Sequence, residues 1–107
     1  MNKVVRDGLV AVLYSPGYGS GWYTWNTEYP DILYDPKIVE WVETGKSEDQ
    51  LSDITAYLEA TYPDMYIGFN LHQLQIEWLS VGTLFCIREY DGSERIEIRD
   101  KLVWQIA

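Results

Sequence analysis

The alternation of apolar and polar side chains toward the carboxyl end is the feature that most constrains the fold. "LQIEWLS" alternates in this way from Leu74 to Ser80, as a half-buried strand does. "TLFCIREY" and "SERIEIR" then flank the dipeptide Asp91-Gly92, which is typical of tight hairpin turns. "LVWQI", close to the last residue, indicates one further strand. These segments predict an antiparallel sheet.

Charge favours one register for the hairpin around Asp91-Gly92. A two-residue loop would place Arg88 opposite Arg95. It would also place Glu89 opposite Glu94, and like charges that face each other across two strands are unfavourable. A three-residue loop ending in Gly92 pairs Arg88 with Glu94 instead. We therefore expect the longer loop.

Two helices are predicted in the middle of the chain. Asp35 followed by proline is a common helix start, because aspartate caps free N–H groups and proline has none to satisfy. It predicts a helix over about 36–44. "SEDQ" matches a capping box, in which the side chains of Ser47 and Gln50 bond each other's backbone N–H groups. It predicts a second helix over about 48–61.

The amino-terminal half adds further strand patterns. "GLVAVLYS", from Gly8 to Ser15, is a continuous apolar run that indicates a buried strand. "WYTWN" at 22–26 and "MYIGF" at 65–69 are interpreted as short strands. The 107 residues suffice for one domain with its own core. We therefore expect one α+β domain over 1–107, in which an antiparallel sheet of about four to six strands carries both helices on one face.

Net charge is −9, and most of it lies in one segment. From Glu28 to Asp64, ten acidic residues stand against two lysines, which gives this segment a charge of −8. A field of this sign repels phosphate backbones and attracts basic protein surfaces. We therefore expect a protein partner with a basic surface, and neither direct nucleic-acid binding nor membrane binding.

Cysteine content and hydropathy indicate the compartment. Cys86 is the single cysteine, which excludes an internal disulfide and a cysteine-based zinc site. Its position in a predicted strand indicates a small core residue. No apolar run approaches the ~20 residues of a membrane span, and the amino-terminal run is too short for a secretion signal. We expect a cytoplasmic protein.

The stretch "SPGYGSGWYTWN", from Ser15 to Asn26, joins three glycines to a dense group of aromatic rings. Around it, between Tyr14 and Tyr34, lie seven of the sixteen aromatic residues: Tyr14, Tyr18, Trp22, Tyr23, Trp25, Tyr29 and Tyr34. So many rings cannot all point inward from a segment this rich in glycine and proline. Exposed tryptophan and tyrosine provide contact area at small conformational cost. The pattern predicts a pliable loop that serves as a contact surface.

Motifs for catalysis or phosphate binding are not found. The glycine spacing lacks the Gly-Lys-Ser/Thr ending of a nucleotide-binding loop. His72 is the single histidine, and no Ser-His-Asp, Cys-His or zinc-protease pattern can be assembled around it. The carboxylates are explained as helix caps and solvated faces. We expect a non-enzyme without cofactor or metal.

Three stretches resemble small proteins carried by phages and prophages. They are "VVRDGLVAVLYSPGYGSGWYTWN", "YDPKIVEWVETGK" and "IEWLSVGTLFCIREYDGSERI". The resemblance brings no assigned activity and no site residues. It implies a context in which small acidic proteins act as counter-defence factors. Such factors occlude a host immune complex, as anti-CRISPR proteins do, or sequester a nucleotide immune signal.

The leading hypothesis is a non-catalytic inhibitor that occludes a host protein with a basic surface. Acidic side chains would engage an Arg/Lys groove, and aromatic side chains would anchor apolar contact. The candidate binding residues are Tyr18, Trp22, Tyr23, Trp25, Glu40, Glu43 and Asp53.

Two alternatives stay open. In the first, a nucleotide signal is sequestered: Tyr18, Trp22 and Trp25 sandwich a purine. Arg6 or Arg88 would then meet the phosphate. In the second, the chain is a structural phage protein whose aromatic residues bury an interface between copies.

Overall fold

The computed structural model describes residues 2–99 and places five strands and three helices within them. The elements in chain order are β1 (Val5–Arg6), β2 (Leu9–Tyr14), α1 (Pro36–Glu43), α2 (Leu51–Thr61), α3 (Phe69–Gln73), β3 (Gln75–Ser80), β4 (Leu84–Tyr90) and β5 (Ser93–Arg99). Short 3-10 turns at Pro30–Leu33 and Glu48–Gln50 precede α1 and α2. The strand expected at "LVWQI" lies outside the described residues. Within residues 2–99, no helix has the length and apolar character needed to cross a bilayer.

The α+β class and the antiparallel pairing are confirmed, but the strands form two sheets. One sheet has the order β1-β2-β3, and the hairpin β4–β5 forms a second sheet. β2 pairs along its whole length with β3, from Leu9 opposite Ser80 to Tyr14 opposite Gln75. The expectation of a single sheet with two helices is therefore wrong in its detail, and α3 is an additional short helix.

The side chains of β2 divide the molecule into three layers, because successive residues of a strand point to opposite faces. Ala11 and Leu13 lie in the main core with the helices. The residues that α1 and α2 contribute to this core are Ile38, Val39, Trp41, Ile54 and Leu58. Val12 points the other way and packs with Leu79 and with the inner side chains of the hairpin. The order of layers is helices, central sheet, hairpin.

The expected start of α1 is confirmed. Asp35 is completely buried, and its Oδ1 accepts hydrogen bonds from the backbone N–H groups of Lys37 (3.0 Å) and Ile38 (3.3 Å). Its Oδ2 accepts from the hydroxyls of Tyr57 (2.8 Å) and Tyr62 (2.5 Å), both donated from the other helix segment. One carboxylate therefore caps α1 and ties it to the region of α2.

The capping box expected at the start of the second helix is wrong. In the described part of the chain, the Ser47 hydroxyl makes no capping hydrogen bond. The Ser47 carbonyl instead accepts from Gln50 N–H (3.2 Å) and from Trp41 Nε1 (3.1 Å). A 3-10 turn closed by this backbone carbonyl precedes α2, which begins at Leu51. The expected helix over 48–61 is this turn followed by α2.

The three-residue hairpin loop is also wrong. The structure has a two-residue loop, with Tyr90 opposite Ser93 and Arg88 opposite Arg95. Asp91 has φ 50° and Gly92 has φ 83°, which is the pair of positive φ values of a type I′ turn. The right-handed twist of this turn matches the twist of the strands that it joins. Turn geometry therefore decides the register, against the charges.

The two glutamates that this register brings together are accommodated separately. Glu89 Oε1 accepts from Gly92 N–H at 2.5 Å. Glu94 is buried and accepts from Ser15 N–H (2.8 Å), Thr24 N–H (2.8 Å) and the Thr24 hydroxyl (2.7 Å). Each carboxylate is satisfied by its own donors, and Glu94 fastens the hairpin to the loop that follows β2.

The short strands expected at 22–26 and 65–69 are wrong as well, since both segments are irregular or helical. Asn26 explains the difference. Its Nδ2 donates to the Trp22 carbonyl (2.8 Å), and its Oδ1 accepts from Tyr66 N–H (2.6 Å). The Asn26 side chain thus takes backbone groups that a strand ladder would need.

Candidate functional site

Trp22, the expected centre of the contact surface, is a core residue. None of its surface is exposed, and its ring belongs to the main core with the helices. Its Nε1 donates to the Ile32 carbonyl at 2.8 Å, so the polar atom of the indole is satisfied inside the protein. The expectation that Trp22 is accessible to a partner is wrong, because the ring fills the core next to the Pro30–Leu33 turn.

The loop at 15–26, called the glycine loop below, is fixed on two sides. Gly19 N–H donates to the Asp91 carbonyl (2.8 Å) in the hairpin turn. Asn70 of α3 donates to the Gly21 carbonyl (2.8 Å) and to Ser20 Oγ (2.8 Å). Among Gly17, Gly19 and Gly21, only Gly19 has a positive φ, 109°. The expected pliable loop is a bonded connection between hairpin and α3.

The other candidate rings of the glycine loop differ in exposure. Tyr18 and Trp25 are exposed, with 68% and 40% of their surface accessible. Tyr23 is half-buried and packs against both cores. The loop therefore offers two of its four candidate rings to solvent.

Tyr66, an exposed ring that no local pattern indicated, contacts Trp25, and the exposed ring of Phe69 follows three residues later in the chain. The Trp25 and Tyr66 rings meet edge to face with centroids 5.0 Å apart. Gly68 lies against the Tyr66 ring, and Phe69, which follows it, is 74% exposed. We call Trp25, Tyr66 and Phe69 the aromatic patch. Only the tertiary structure brings Trp25 and Tyr66 together, because they are about forty residues apart in the sequence and "MYIGF" has the pattern of a strand.

Two of the three candidate acids line the same open groove between α1 and α2. Its volume is about 720 Å³, and the lining residues that matter here are Lys37, Glu40, Trp41, Gln50, Asp53 and Ile54. Glu40 and Asp53 are exposed, one on each helix, whereas Trp41 and Ile54 are buried and form an apolar floor. We call this feature the acidic groove.

Glu43, the third candidate acid, is already paired. Arg6 Nη1 and Nη2 donate to its two carboxylate oxygens at 2.6 and 2.9 Å. The hydrogen bond and the charge of Glu43 raise the pKa of Arg6. This bidentate pair attaches β1 to α1 beside the acidic groove. Glu43 therefore contributes less negative charge to the surface than Glu40 or Asp53.

The residues proposed for nucleotide sequestration are distributed over different parts of the molecule. Trp22 is in the core, and Arg6 is held by Glu43. Arg88 lies on the hairpin, where its Nε donates to Glu97 at 3.1 Å and the pair raises the Arg88 pKa. Both arginines are thus already paired with glutamates, and the central ring of the proposed stack is buried.

The two residues with reactive side chains are peripheral. His72 is an exposed residue of α3, with Nδ1 3.8 Å from a Glu48 oxygen. Cys86 is half-buried on β4, on the side of the hairpin away from the core, so the expectation of a core cysteine is wrong. Within residues 2–99, no three His, Cys, Asp or Glu side chains are grouped so that they could hold a metal ion.

No protein-family model, curated protein or solved structure matches this chain. Its function is therefore inferred from the acidic groove and the aromatic patch themselves.

Proposed function

We propose that this protein is a non-catalytic binding protein that occludes a basic protein partner. The observation that carries the proposal is the acidic groove, where Glu40 and Asp53 flank a floor of buried apolar side chains. An arginine or lysine side chain is complementary to this groove, because its stem is apolar and its head carries a positive charge. Its stem would lie on the floor, and its cation would meet the two carboxylates.

The charge around the groove supports a basic partner. The helices belong to the segment that carries −8. Lys37 is the one cation among the described lining residues, and its Nζ lies 5.0 Å from the centre of the Tyr57 ring. A surface of one sign attracts an oppositely charged partner over long range and raises the association rate. An Arg/Lys-rich surface that normally binds nucleic acid has the complementary charge, and a host immune effector of that kind fits the phage resemblance.

The aromatic patch is proposed as the apolar anchor of the same interaction. Large exposed rings supply much of the binding energy in protein interfaces. Within residues 2–99, the patch and the acidic groove share no lining residue. A partner that contacts both therefore covers more than the groove alone, which suits occlusion better than the capture of a small ligand.

The test is calorimetric titration of the full chain with an arginine-rich peptide. Glu40→Gln with Asp53→Asn removes both groove carboxylates. Each exposed ion pair contributes about 0.2–1 kcal/mol. Two of them correspond to a roughly two- to thirtyfold weaker Kd, at about 1.4 kcal/mol per tenfold.

Glu28→Gln with Glu59→Gln is the matched control, because it removes two exposed acids outside the groove. The control variant should bind the peptide like the natural sequence. Equal weakening in both double variants would show an effect of net charge alone, and it would refute a specific groove. Absence of any peptide binding to the natural sequence would refute the proposal as well.

A further inference from the structure

The outward face of the hairpin is basic, although the molecule is strongly acidic. Alternation along β4 and β5 places Arg88, Arg95 and Arg99 on the same face of this sheet. All three are exposed, and they are three of the four arginines in the sequence. The opposite face of the hairpin packs against Val12 and Leu79. Among residues 2–99, the side chains of the arginine face take no part in the two cores.

The register of the hairpin holds two of these arginines against each other. Arg88 lies directly opposite Arg95, an arrangement that costs free energy in a sheet. Glu97 bonds Arg88 Nε at 3.1 Å and offsets part of this cost. Positions where a fold breaks a local rule are frequently functional. An external carboxylate between the two guanidinium groups would relieve their repulsion.

The layer order separates this face from the acidic helices. The helices and the hairpin pack on opposite faces of the central sheet. At about 10 Å between neighbouring layers, the middle of the helix layer and the middle of the hairpin are roughly 20 Å apart. The Debye length at physiological salt is about 8 Å. Each surface therefore acts with its own charge, and one copy carries both a basic and an acidic docking face.

We propose that the occupant of the arginine face is a second copy of this chain, docked through its acidic groove. The inference rests on the proposed function, because it requires that the groove accept an arginine side chain. Charge complementarity favours this occupant, since both halves of the contact are present on one molecule. Arg95 of one copy would lie between Glu40 and Asp53 of the next.

This contact joins two different surfaces, so it is head-to-tail. The two surfaces lie on opposite sides of the molecule, and each added copy presents a fresh face for the next. Association covers the acidic groove. A copy within an assembly therefore cannot hold another basic partner, and self-association regulates the proposed binding.

Analytical ultracentrifugation over a range of concentrations tests the inference. At about 0.15 M salt, we expect species heavier than the 12.5 kDa monomer that grow with concentration. At about 1 M salt, where the Debye length is about 3 Å, they should dissociate. Arg95→Glu should weaken association at least tenfold, and it keeps the fold because it relieves the Arg88–Arg95 repulsion. Lys3→Glu makes the same change of charge at an exposed residue outside both surfaces and should leave association unchanged.

A mixing experiment gives the sharper test. Arg95→Glu has a defective arginine face and an intact groove, whereas Asp53→Lys has the reverse. Each variant alone should be monomeric, because every contact needs one of each surface. Their mixture keeps one working junction and should form a 1:1 dimer of about 25 kDa, twice the 12.5 kDa chain, that grows no further.

Three outcomes would overturn the inference: a monomer at all concentrations, equal effects of Arg95→Glu and Lys3→Glu, or no dimer in the mixture. The arginine-rich peptide separates a failure of this inference from a failure of the proposed function, because the peptide must still bind the groove of a monomeric chain.

Fluorescence anisotropy with a labelled single-stranded oligonucleotide tests a different occupant of the arginine face. Binding that Arg95→Glu abolishes, in a chain that stays monomeric, would assign the arginine face to a polyanion instead.

Discussion

Asp35 shows how one buried carboxylate organises the helical layer. Its two oxygens accept from two backbone N–H groups at the start of α1 and from the hydroxyls of Tyr57 and Tyr62. A buried charge is tolerated when donors surround it, and the low local dielectric strengthens each hydrogen bond. The helix start is thereby linked to residues more than twenty positions further along the chain.

This cluster predicts a loss of stability at alkaline pH. Burial and the hydrogen bond to Asp35 raise the pKa of Tyr57 to about 12, and the same causes raise the pKa of Tyr62. In the unfolded chain both phenols ionise near pH 10. The unfolded state therefore loses these protons first, so the contribution of the two phenols to the free energy of unfolding is constant below about pH 10 and falls as the pH rises above it.

Urea unfolding at a series of pH values measures this fall. In Tyr57→Phe the decline above about pH 10 should be shallower, because one of the two shifted phenols is gone. Tyr90→Phe removes a phenol that is exposed at the end of β4 and serves as the control. Identical slopes in the two variants would contradict the link between Tyr57 and Asp35.

At the residue scale, the sequence predicted half of what Asp35 does. Asp35-Pro36 is a local signal, and the cap that it predicted is confirmed. The bonds from Tyr57 and Tyr62 depend on how two helices meet, which no local pattern states. The expectation that Trp22 is exposed is wrong for the same reason. No local pattern in the glycine-rich segment indicates that the indole is buried, because the Ile32 carbonyl that accepts its N–H is brought to it by the tertiary fold.

At the scale of elements, the hairpin shows which of two effects decides a register. Two like-charge pairs cost roughly 0.2–1 kcal/mol each. A shifted register would also remove Glu94 from the three donors that it satisfies, and hydrogen bonds to a charged group contribute about 1.5–3 kcal/mol each. The turn and the burial of Glu94 together outweigh the charges. The charges alone favour the other register, so they do not predict the observed one.

Two glycines with nearly equal φ test the contact between the hairpin turn and the glycine loop. Gly92 has φ 83° and lies against the backbone of Ser20, whereas Gly82 has φ 87° and open space around it. Gly82→Ala should cost about 1–2 kcal/mol of unfolding free energy, the price of a left-handed alanine. Gly92→Ala should cost at least about 1 kcal/mol more, because its Cβ must displace the glycine loop. Urea denaturation measures both.

An equal loss in Gly92→Ala and Gly82→Ala would mean that the hairpin turn is not packed on the glycine loop. Both variants keep the type of turn, so the difference between them reports the contact and not the backbone conformation.

At the scale of the whole molecule, salt should have opposite effects on folding and on association. A net charge of −9 destabilises the compact chain by self-repulsion, which salt screens. Thermal unfolding of the monomeric variant Arg95→Glu should therefore give a higher Tm in 0.5 M than in 0.01 M sodium chloride, on the order of a few degrees. Head-to-tail association should weaken over the same range of salt. A Tm that falls with salt would show that attractive ion pairs, such as Arg6–Glu43, outweigh the repulsion.

The sequence by itself determined the kinds of element, since β2, β3, the hairpin and the two main helices follow from periodicity and local end signals between neighbouring residues. It also determined the acidic segment, which lies in the helical layer. The tertiary structure alone decided that the strands form two sheets and which aromatic rings are exposed to solvent. It also decided that three of the four arginines lie on the opposite side of the central sheet from the acidic groove. Those properties arise from contacts between residues far apart in the chain, and their energies enter only when the layers pack.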